Sequence, residues 1–436
     1  MIVTFKNTGM IEDAAIRLNG LTVIAGENDT GKSTIGKLMF SIIKTFNRYE
    51  TDARFYRVRK MEELIEDQYA DFKMRYRNSP AFRDVKKIFD DMREEIFKIM
   101  NIPEKEESIK KKISEKVIEF TEIIRAIFGE DINFDHFIST VSELAVQKPA
   151  PESIFKNTFG KYISSLFNGE LSNKFSEKKG YAIKGEEGGN TVFEITGSNG
   201  SFTVQLEGTV DFNDATFIES PVLLNISDLL RFAKNEFDMD IENKKKLEYL
   251  EKGYAPEYMR DFILKLTDRR GEMKPTEISE IIKTLIRGNF YYSPEERDFV
   301  FETGNKEFKG VSIASGIKCL GAIHILLLKG FIIRKSLLVI DEPETNMHPQ
   351  WQVRFAELIV KLVKEGNHIL LTSHSPYLIE ALELYAGKRL DKDSVNFYLA
   401  DKENNAFISR IYNVTNDPSP IFDRLSKPFD ELEELQ

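Results

Sequence analysis

Eight consecutive residues restrict the fold of this chain more than anything else in it. Gly26-Glu27-Asn28-Asp29-Thr30-Gly31-Lys32-Ser33 has two glycines separated by four residues and followed by lysine and serine. The flanks match what such a loop needs. Leu21-Thr22-Val23-Ile24-Ala25 before it reads as a short buried strand. Thr34 to Ile43 after it carries apolar residues at helical spacing. A strand that turns through glycines into a helix N-terminus points backbone N–H groups and the positive end of the helix at one place, a cradle for phosphate. Gly26, Asn28, Asp29, Thr30, Gly31, Lys32, Ser33 and Thr34 are the candidate cradle. Lys32 is placed for the β- and γ-phosphates of a nucleotide, and the Ser33 hydroxyl for Mg²⁺. The competing reading, a chance match in a glycine-rich turn, leaves the strand and the helix unexplained.

A loop of this kind implies an α/β domain, and 436 residues supply two or three domains' worth of core. Residues 1–48 read as β-rich and then helical, the N-terminal part of that domain. Residues 49–180 read as a helical insertion, with Val85, Ile88, Phe89 and Met92, then Ile109, Ile113, Val117, Phe120, Ile123 and Ile124 at helical spacing. Between Pro103 and Gly129 a helix has room for about 25 residues, or ~38 Å. This is a compact insertion, since a coiled-coil arm needs many uninterrupted heptads. Residues 181–224 alternate as strands, 225–288 are helical and charged, and 289–436 complete the domain, beginning with a hairpin around Ser293-Pro294-Glu295-Glu296.

Composition removes several classes. A single cysteine, Cys319, excludes a disulfide framework within the chain and suits a reducing cytoplasm. Met1 to Lys6 lacks the layout of a signal peptide, and the apolar stretch from Leu320 to Ile333, interrupted by His324 and Lys329, is too short to span a bilayer. A cytoplasmic protein with no membrane partner is expected. The net charge of −10 argues against wholesale wrapping of nucleic acid but leaves room for a local basic patch.

The second half of the site lies far along the chain. Ser336-Leu337-Leu338-Val339-Ile340 is a run of the kind buried in a parallel sheet, and it ends in Asp341-Glu342. Carboxylates at the C-terminal end of such a strand stand at the rim where α/β sheets bind ligands. Asp341 is placed to hold Mg²⁺ and Glu342 to polarise an attacking water. After one helix bearing Trp351, Phe355, Leu358, Ile359, Leu362 and Val363 comes a second apolar strand, His368 to Thr372, then Ser373-His374-Ser375-Pro376. His374 is expected beside the Glu342 strand end, within reach of a γ-phosphate.

With these residues in place the chain resembles the ABC-type ATPase heads of the SMC/Rad50/RecF/OLD group, the AAA family ATPases. The resemblance rests on 26–34, on Ala314-Ser315-Gly316-Ile317-Lys318-Cys319-Leu320, on 337–352 and on 370–382. It covers roughly 1–45 and 290–400. It implies a P-loop NTPase core that uses ATP and Mg²⁺, with Glu342 as catalytic base and His374 as switch histidine. It also implies that Ser315 and Gly316 belong to a signature segment that caps the nucleotide of a second copy, so that ATP is sandwiched in a head-to-tail pair. There are departures from the family pattern. Ala314 stands at the usual serine position, with Ser315 one place later. Asp29 replaces a common glycine or asparagine, so its charge has to point away from the phosphates. Gln205 and Glu219 compete for the Q-loop position. The long coiled coil is missing. Asp391-Lys392-Asp393 is superficially similar to the paired acids of a Toprim nuclease, but no Glu-Gly motif accompanies it and a turn is expected.

Two functions follow from the resemblance. In the first, a dimerising ATPase senses a trigger and controls an effector, a nuclease or toxin from a neighbouring gene, in bacterial anti-phage defence. In the second, a RecF- or Rad50-like ATPase binds DNA through Arg54, Arg57, Arg59, Lys60, Lys73, Arg75 and Arg77, interleaved with Phe55, Tyr56, Phe72 and Tyr76. The same stretch also reads as an amphipathic helix with a charged outer face.

Overall fold

Strands that alternate apolar residues onto two faces need cover on both, and this chain builds that cover from helices. The computed structural model describes residues 1–436 except 81, 101, 103, 104, 130, 131, 199, 234–254, 346, 403–406 and 434–436. Pro103, Asn346 and residues 234–254 of the expected helical stretch 225–288 therefore lie outside the described residues. The chain divides into two units, one of Met1–Asn47 with Phe155–Gln436, the other of Arg48–Ile154.

The larger unit is organised on a mixed sheet. Its strands are β1 (Ile2–Thr8), β2 (Ile11–Arg17), β3 (Leu21–Gly26), β4 (Tyr181–Glu187), β5 (Asn190–Ser198), β6 (Ser201–Leu206), β7 (Asp214–Ile218), β11 (Ser336–Asp341), β12 (His368–Ser373), β13 (Val395–Lys402) and β14 (Ser409–Asn413). Their order is β6-β5-β4-β1-β2-β14-β13-β3-β12-β11-β7. From β13 to β7 every neighbour is parallel, whereas β6 to β2 is an antiparallel meander. A smaller sheet, β10-β9-β8, is formed by β8 (Asn289–Ser293), β9 (Asp298–Thr303) and β10 (Lys306–Lys309), so the expected hairpin carries a third strand.

The parallel strands are apolar on both faces because both faces are buried. Val23, Leu338, Ile340 and Leu371 join one core with α8 (Glu257–Leu266), α9 (Glu277–Ile286), α10 (Ser315–Leu328), α11 (Pro349–Lys364) and α12 (Pro376–Arg389). Leu230 of α7 (Ser227–Phe232) and Ile421 of α13 (Ser419–Glu433) belong to the same core. Ile24, Val339, Leu370 and Tyr398 face the other core, with α1 (Lys32–Asn47) and α6 (Pro151–Phe167). α1 lies close against the sheet at Gly36, where a Cβ would sit 2.9 Å from Val339 Cγ1. Partly buried ion pairs tie its far end down: Lys44 lies 3.0 Å from Asp214 and 2.8 Å from Asp261. Burial alone would lower the Lys44 pKa, but the two carboxylates outweigh it and raise it. Helical structure expected to run as an insertion to 180 ends as a separate unit at Ile154, because Phe155, Phe159, Tyr162 and Ile163 of α6 pack into the sheet's core.

The smaller unit consists of α2 (Tyr49–Tyr76), α3 (Phe82–Met100), α4 (Glu106–Phe128) and α5 (Asp135–Leu144) around Met61, Ile65, Phe89, Ile113 and Val117. Ile123, expected on the buried face, is 42% exposed. Phe72 and Tyr76, which the DNA reading needs for stacking on bases, instead stack on each other at 4.5 Å, and Phe72 meets Phe128 edge-on. Lys60 and Arg59 pair with Glu63. On α2 the amphipathic alternative therefore accounts for Phe72 and Tyr76, whereas Phe55 is 48% exposed. Asp391, Lys392 and Asp393 stand at a short 3-10 turn between α12 and β13.

Candidate active site

Parallel strands deliver their C-terminal ends to one rim, and register decides which residues meet there. Ala25 pairs with Ser373, Thr372 with Asp341, and Ile340 with Ile218. Sheet order thus puts the start of the phosphate loop, Asp341-Glu342 and Ser373-His374 side by side, although the loop stands about three hundred positions before the other two.

The loop leaves β3 at Gly26, whose backbone presses on β13: a Cβ there would lie 2.3 Å from the Ala400 carbonyl oxygen. Thr30 is buried and its hydroxyl donates to the Glu27 carbonyl at 2.8 Å, closing the turn. Gly31 takes φ +84°, open to glycine at little cost. Lys32 then begins α1, whose first N–H groups have no partner within the helix. The Lys32 side chain is buried and curls back over the loop. Its Nζ donates to the carbonyls of Gly26 at 2.9 Å and Glu27 at 2.7 Å and lies 3.6 Å from Glu342 Oε1. Burial lowers its pKa, opposed chiefly by the charges of Glu342 and Asp341.

Ser33 Oγ donates to Asp341 Oδ1 at 3.0 Å, and Thr372 Oγ1 donates to the same oxygen. Burial raises the Asp341 pKa, and the two hydroxyl donors oppose that. The hydroxyl and carboxylate oxygens are hard donors of the kind Mg²⁺ takes, and they reach each other across the loop. No cluster of three or more His, Cys, Asp or Glu side chains suited to a metal exists among the described residues. A Mg²⁺ ion held by the Ser33 hydroxyl and the Asp341 carboxylate would take its other ligands from water and phosphate.

Glu342 adopts φ +47°, a conformation uncommon for a side chain of its size, held by its N–H donating to Thr372 O and Oγ1. Its Oε1 stands 3.6 Å from His374 Nδ1. The pair shift each other: His374 first, then Lys32, holds the Glu342 carboxyl below its usual range, and Glu342 first, then Glu344, raises the His374 pKa against burial.

Glu344 is the residue that sequence reasoning passed over. It is 6% exposed, and its Oε1 accepts from Ser373 Oγ and the His374 N–H, both at 2.7 Å, with His374 Nδ1 3.4 Å away. Its only signal in the sequence was nearness to Asp341-Glu342. Glu344→Gln keeps an acceptor for both bonds and removes the charge. The His374 titration, followed by NMR of ring-labelled protein, is expected to move to lower pH by about half a unit or more. An unmoved titration would mean that Glu344 acts on His374 through geometry alone.

Of the Q-loop candidates, Glu219 follows β7 at the same rim, 3.1 Å from Lys37 Nζ, and accepts from the Tyr258 hydroxyl at 2.7 Å. Gln205 lies on β6, the far edge of the sheet. Asn28 and Asp29 are exposed, and the Asp29 carboxylate turns to Lys402 Nζ at 2.7 Å. Ser315 and Gly316 are not brought to this cluster. They open α10, with Ala314 just outside it, and Gly316 faces the Trp351 ring. Among the described residues no hydrogen bond joins them to the loop.

The family model for an AAA ATPase domain matches residues 1–379. A 96-residue stretch is 30% identical to the Septu protein PtuA of Bacillus thuringiensis, covering 19% of this chain and 24% of that protein. Among solved structures, the SMC head bound to the C-terminal winged-helix domain of ScpA aligns over 94% of this chain and 96% of its own, with 11% identity and a TM-score of 0.42. The SMC head domain from Thermotoga maritima aligns over 95% and 98%, with 12% identity and a TM-score of 0.39.

Proposed function

The chain belongs to the AAA ATPase domain family, and from that premise we propose that it is a Mg²⁺-dependent ATP-hydrolysing switch in bacterial anti-phage defence. Two copies pair head to tail on ATP, sense a trigger and control a partner effector, a nuclease or toxin supplied by a neighbouring gene. The observation that carries the ATPase reading is the meeting of Lys32, Ser33, Asp341, Glu342 and His374 at one sheet rim. Ser33 and Asp341 would hold Mg²⁺, which offsets charge on the β- and γ-phosphates when bound. Lys32 turns from the loop carbonyls to the phosphates. Glu342, ionised because His374 and Lys32 hold its pKa low, orients the attacking water and accepts its proton. His374, kept basic by Glu342 and Glu344, donates toward the γ-phosphate.

The pairing is supported by the placing of Ser315 and Gly316, which open α10 with no hydrogen bond to their own loop among the described residues and so would serve the nucleotide of a second copy. The likeness to Septu protein PtuA supports the defence setting. The unit Arg48–Ile154 offers a separate surface for a trigger or effector.

A DNA-binding ATPase is the second reading, favoured by a different surface from the arginines of α2. Lys6, Lys156, Lys178 and Lys179 line one cleft of about 700 Å³ with Thr196 and Thr203. Among the described residues Lys6, Lys156 and Lys179 have no carboxylate in salt-bridge range. One set of measurements separates the readings. Sedimentation velocity with ATP and Mg²⁺ is expected to convert monomer to dimer, and a chain that stays monomeric refutes the pairing. DNA affinity that falls steeply across a salt series favours the second reading, and flat or absent binding favours the first.

A further inference from the structure

A loop built to receive a triphosphate carries two carboxylates of its own, Glu27 and Asp29, on either side of Asn28. Both side chains are exposed and both are met by cations from the C-terminal part of the chain. Arg424 of α13 places Nε 3.0 Å from Glu27 Oε1 and its other arm 2.9 Å from Asp401 Oδ1. Arg424 is mostly shielded, at 21% exposure, and its Nε makes an ion pair with Glu27 without a directed hydrogen bond. Lys402, at the end of β13, reaches Asp29 Oδ2 at 2.7 Å. The register Ala400 to Gly26 sets β13 beside the start of the loop, so the sheet itself delivers Lys402 there. Asp29 at φ +61° takes the left-handed conformation, which Asp tolerates.

We propose that Arg424 and Lys402 are positioning residues of the phosphate loop. They neutralise Glu27 and Asp29, which would otherwise repel the incoming triphosphate. Arg424 also steadies Glu27, whose carbonyl accepts from both Lys32 Nζ and Thr30 Oγ1. The C-terminal helix is in this way part of the nucleotide site without supplying a group that touches the nucleotide. The inference rests on the ATP reading above.

The test is a double-mutant cycle on the full chain, read as ATP affinity with Mg²⁺ by calorimetry and as KM and kcat for hydrolysis. Arg424→Gln is expected to weaken ATP binding about 3- to 10-fold, with KM raised and kcat changed about twofold or less. Glu27→Gln with Arg424→Gln is expected to recover to within about twofold of the wild type, because the repulsion goes with its source. Lys402→Gln and its rescue by Asp29→Asn repeat the test from β13 should the Arg424 variant fail to fold. A wild-type chain that binds no ATP overturns the ATP reading and this inference together. A wild type that binds ATP while Arg424→Gln binds equally well, even with a lower melting temperature, overturns only the positioning role. A double variant that stays weak overturns it too, since Arg424 would then act on the nucleotide directly.

Discussion

Glu342→Gln is expected to slow ATP hydrolysis by about 10²- to 10⁴-fold while ATP still binds. The substitution preserves shape and removes one charge at a crowded place, since Oε1 lies 3.6 Å from both Lys32 Nζ and His374 Nδ1. Glutamine can still hold a water but cannot take its proton. Loss of the carboxylate also removes a negative charge from the neighbourhood of the γ-phosphate, so affinity is expected to hold or rise. Glu342 is the first cause raising the His374 pKa, so in this variant His374 titrates at lower pH. With hydrolysis slowed, the ATP-bound pair accumulates and is measurable by sedimentation in excess ATP and Mg²⁺. Turnover at the wild-type rate would remove Glu342 from the mechanism. Slow turnover in a persistent monomer would leave the base in place and reject the sandwich.

Lys32→Ala acts earlier, on binding. Its buried ammonium reaches across the loop to the Asp341-Glu342 side, and charge-assisted hydrogen bonds of this kind are worth about 1.5–3 kcal/mol each. A loss of at least about 100-fold in ATP affinity is expected by calorimetry. The variant also strips the Gly26 and Glu27 carbonyls of a donor and leaves Glu342 without the cation that helps lower its pKa. Lys32→Met, which keeps the buried stem, separates loss of charge from loss of packing. Unchanged affinity in either variant would reject the loop assignment.

How much of this was legible before folding differs from residue to residue. The phosphate loop was readable because its chemistry is local: a strand, two glycines, a lysine and a helix start all fall within one short stretch. Asp341-Glu342 and His374 were readable because each ends an apolar strand, and parallel strand ends share a rim. Glu344 was not, because its function is to accept from Ser373 and His374 on the next strand, a contact that exists only after β11 and β12 align. The same holds for Arg424 and Lys402, which are ordinary charged residues until β13 and α13 close on the loop. Ile123 and Phe72 show the converse. Helical spacing put Ile123 with its apolar neighbours and the DNA reading put Phe72 against bases, but packing among α2 to α5 decided that Ile123 is exposed and Phe72 buried.

The sequence by itself therefore determined the class of fold, an α/β P-loop core interrupted by a helical segment, and the residue types expected to face phosphates. Spacing within single elements carries that information, and backbone geometry leaves few alternatives to it. Only the tertiary structure decided which carboxylate holds His374, which of Gln205 and Glu219 stands at the rim, and what balances the charge of Glu27 and Asp29. Those outcomes depend on strand order and register, which bring the two ends of the chain together, and a one-residue slip of β13 would turn Lys402 away from Asp29.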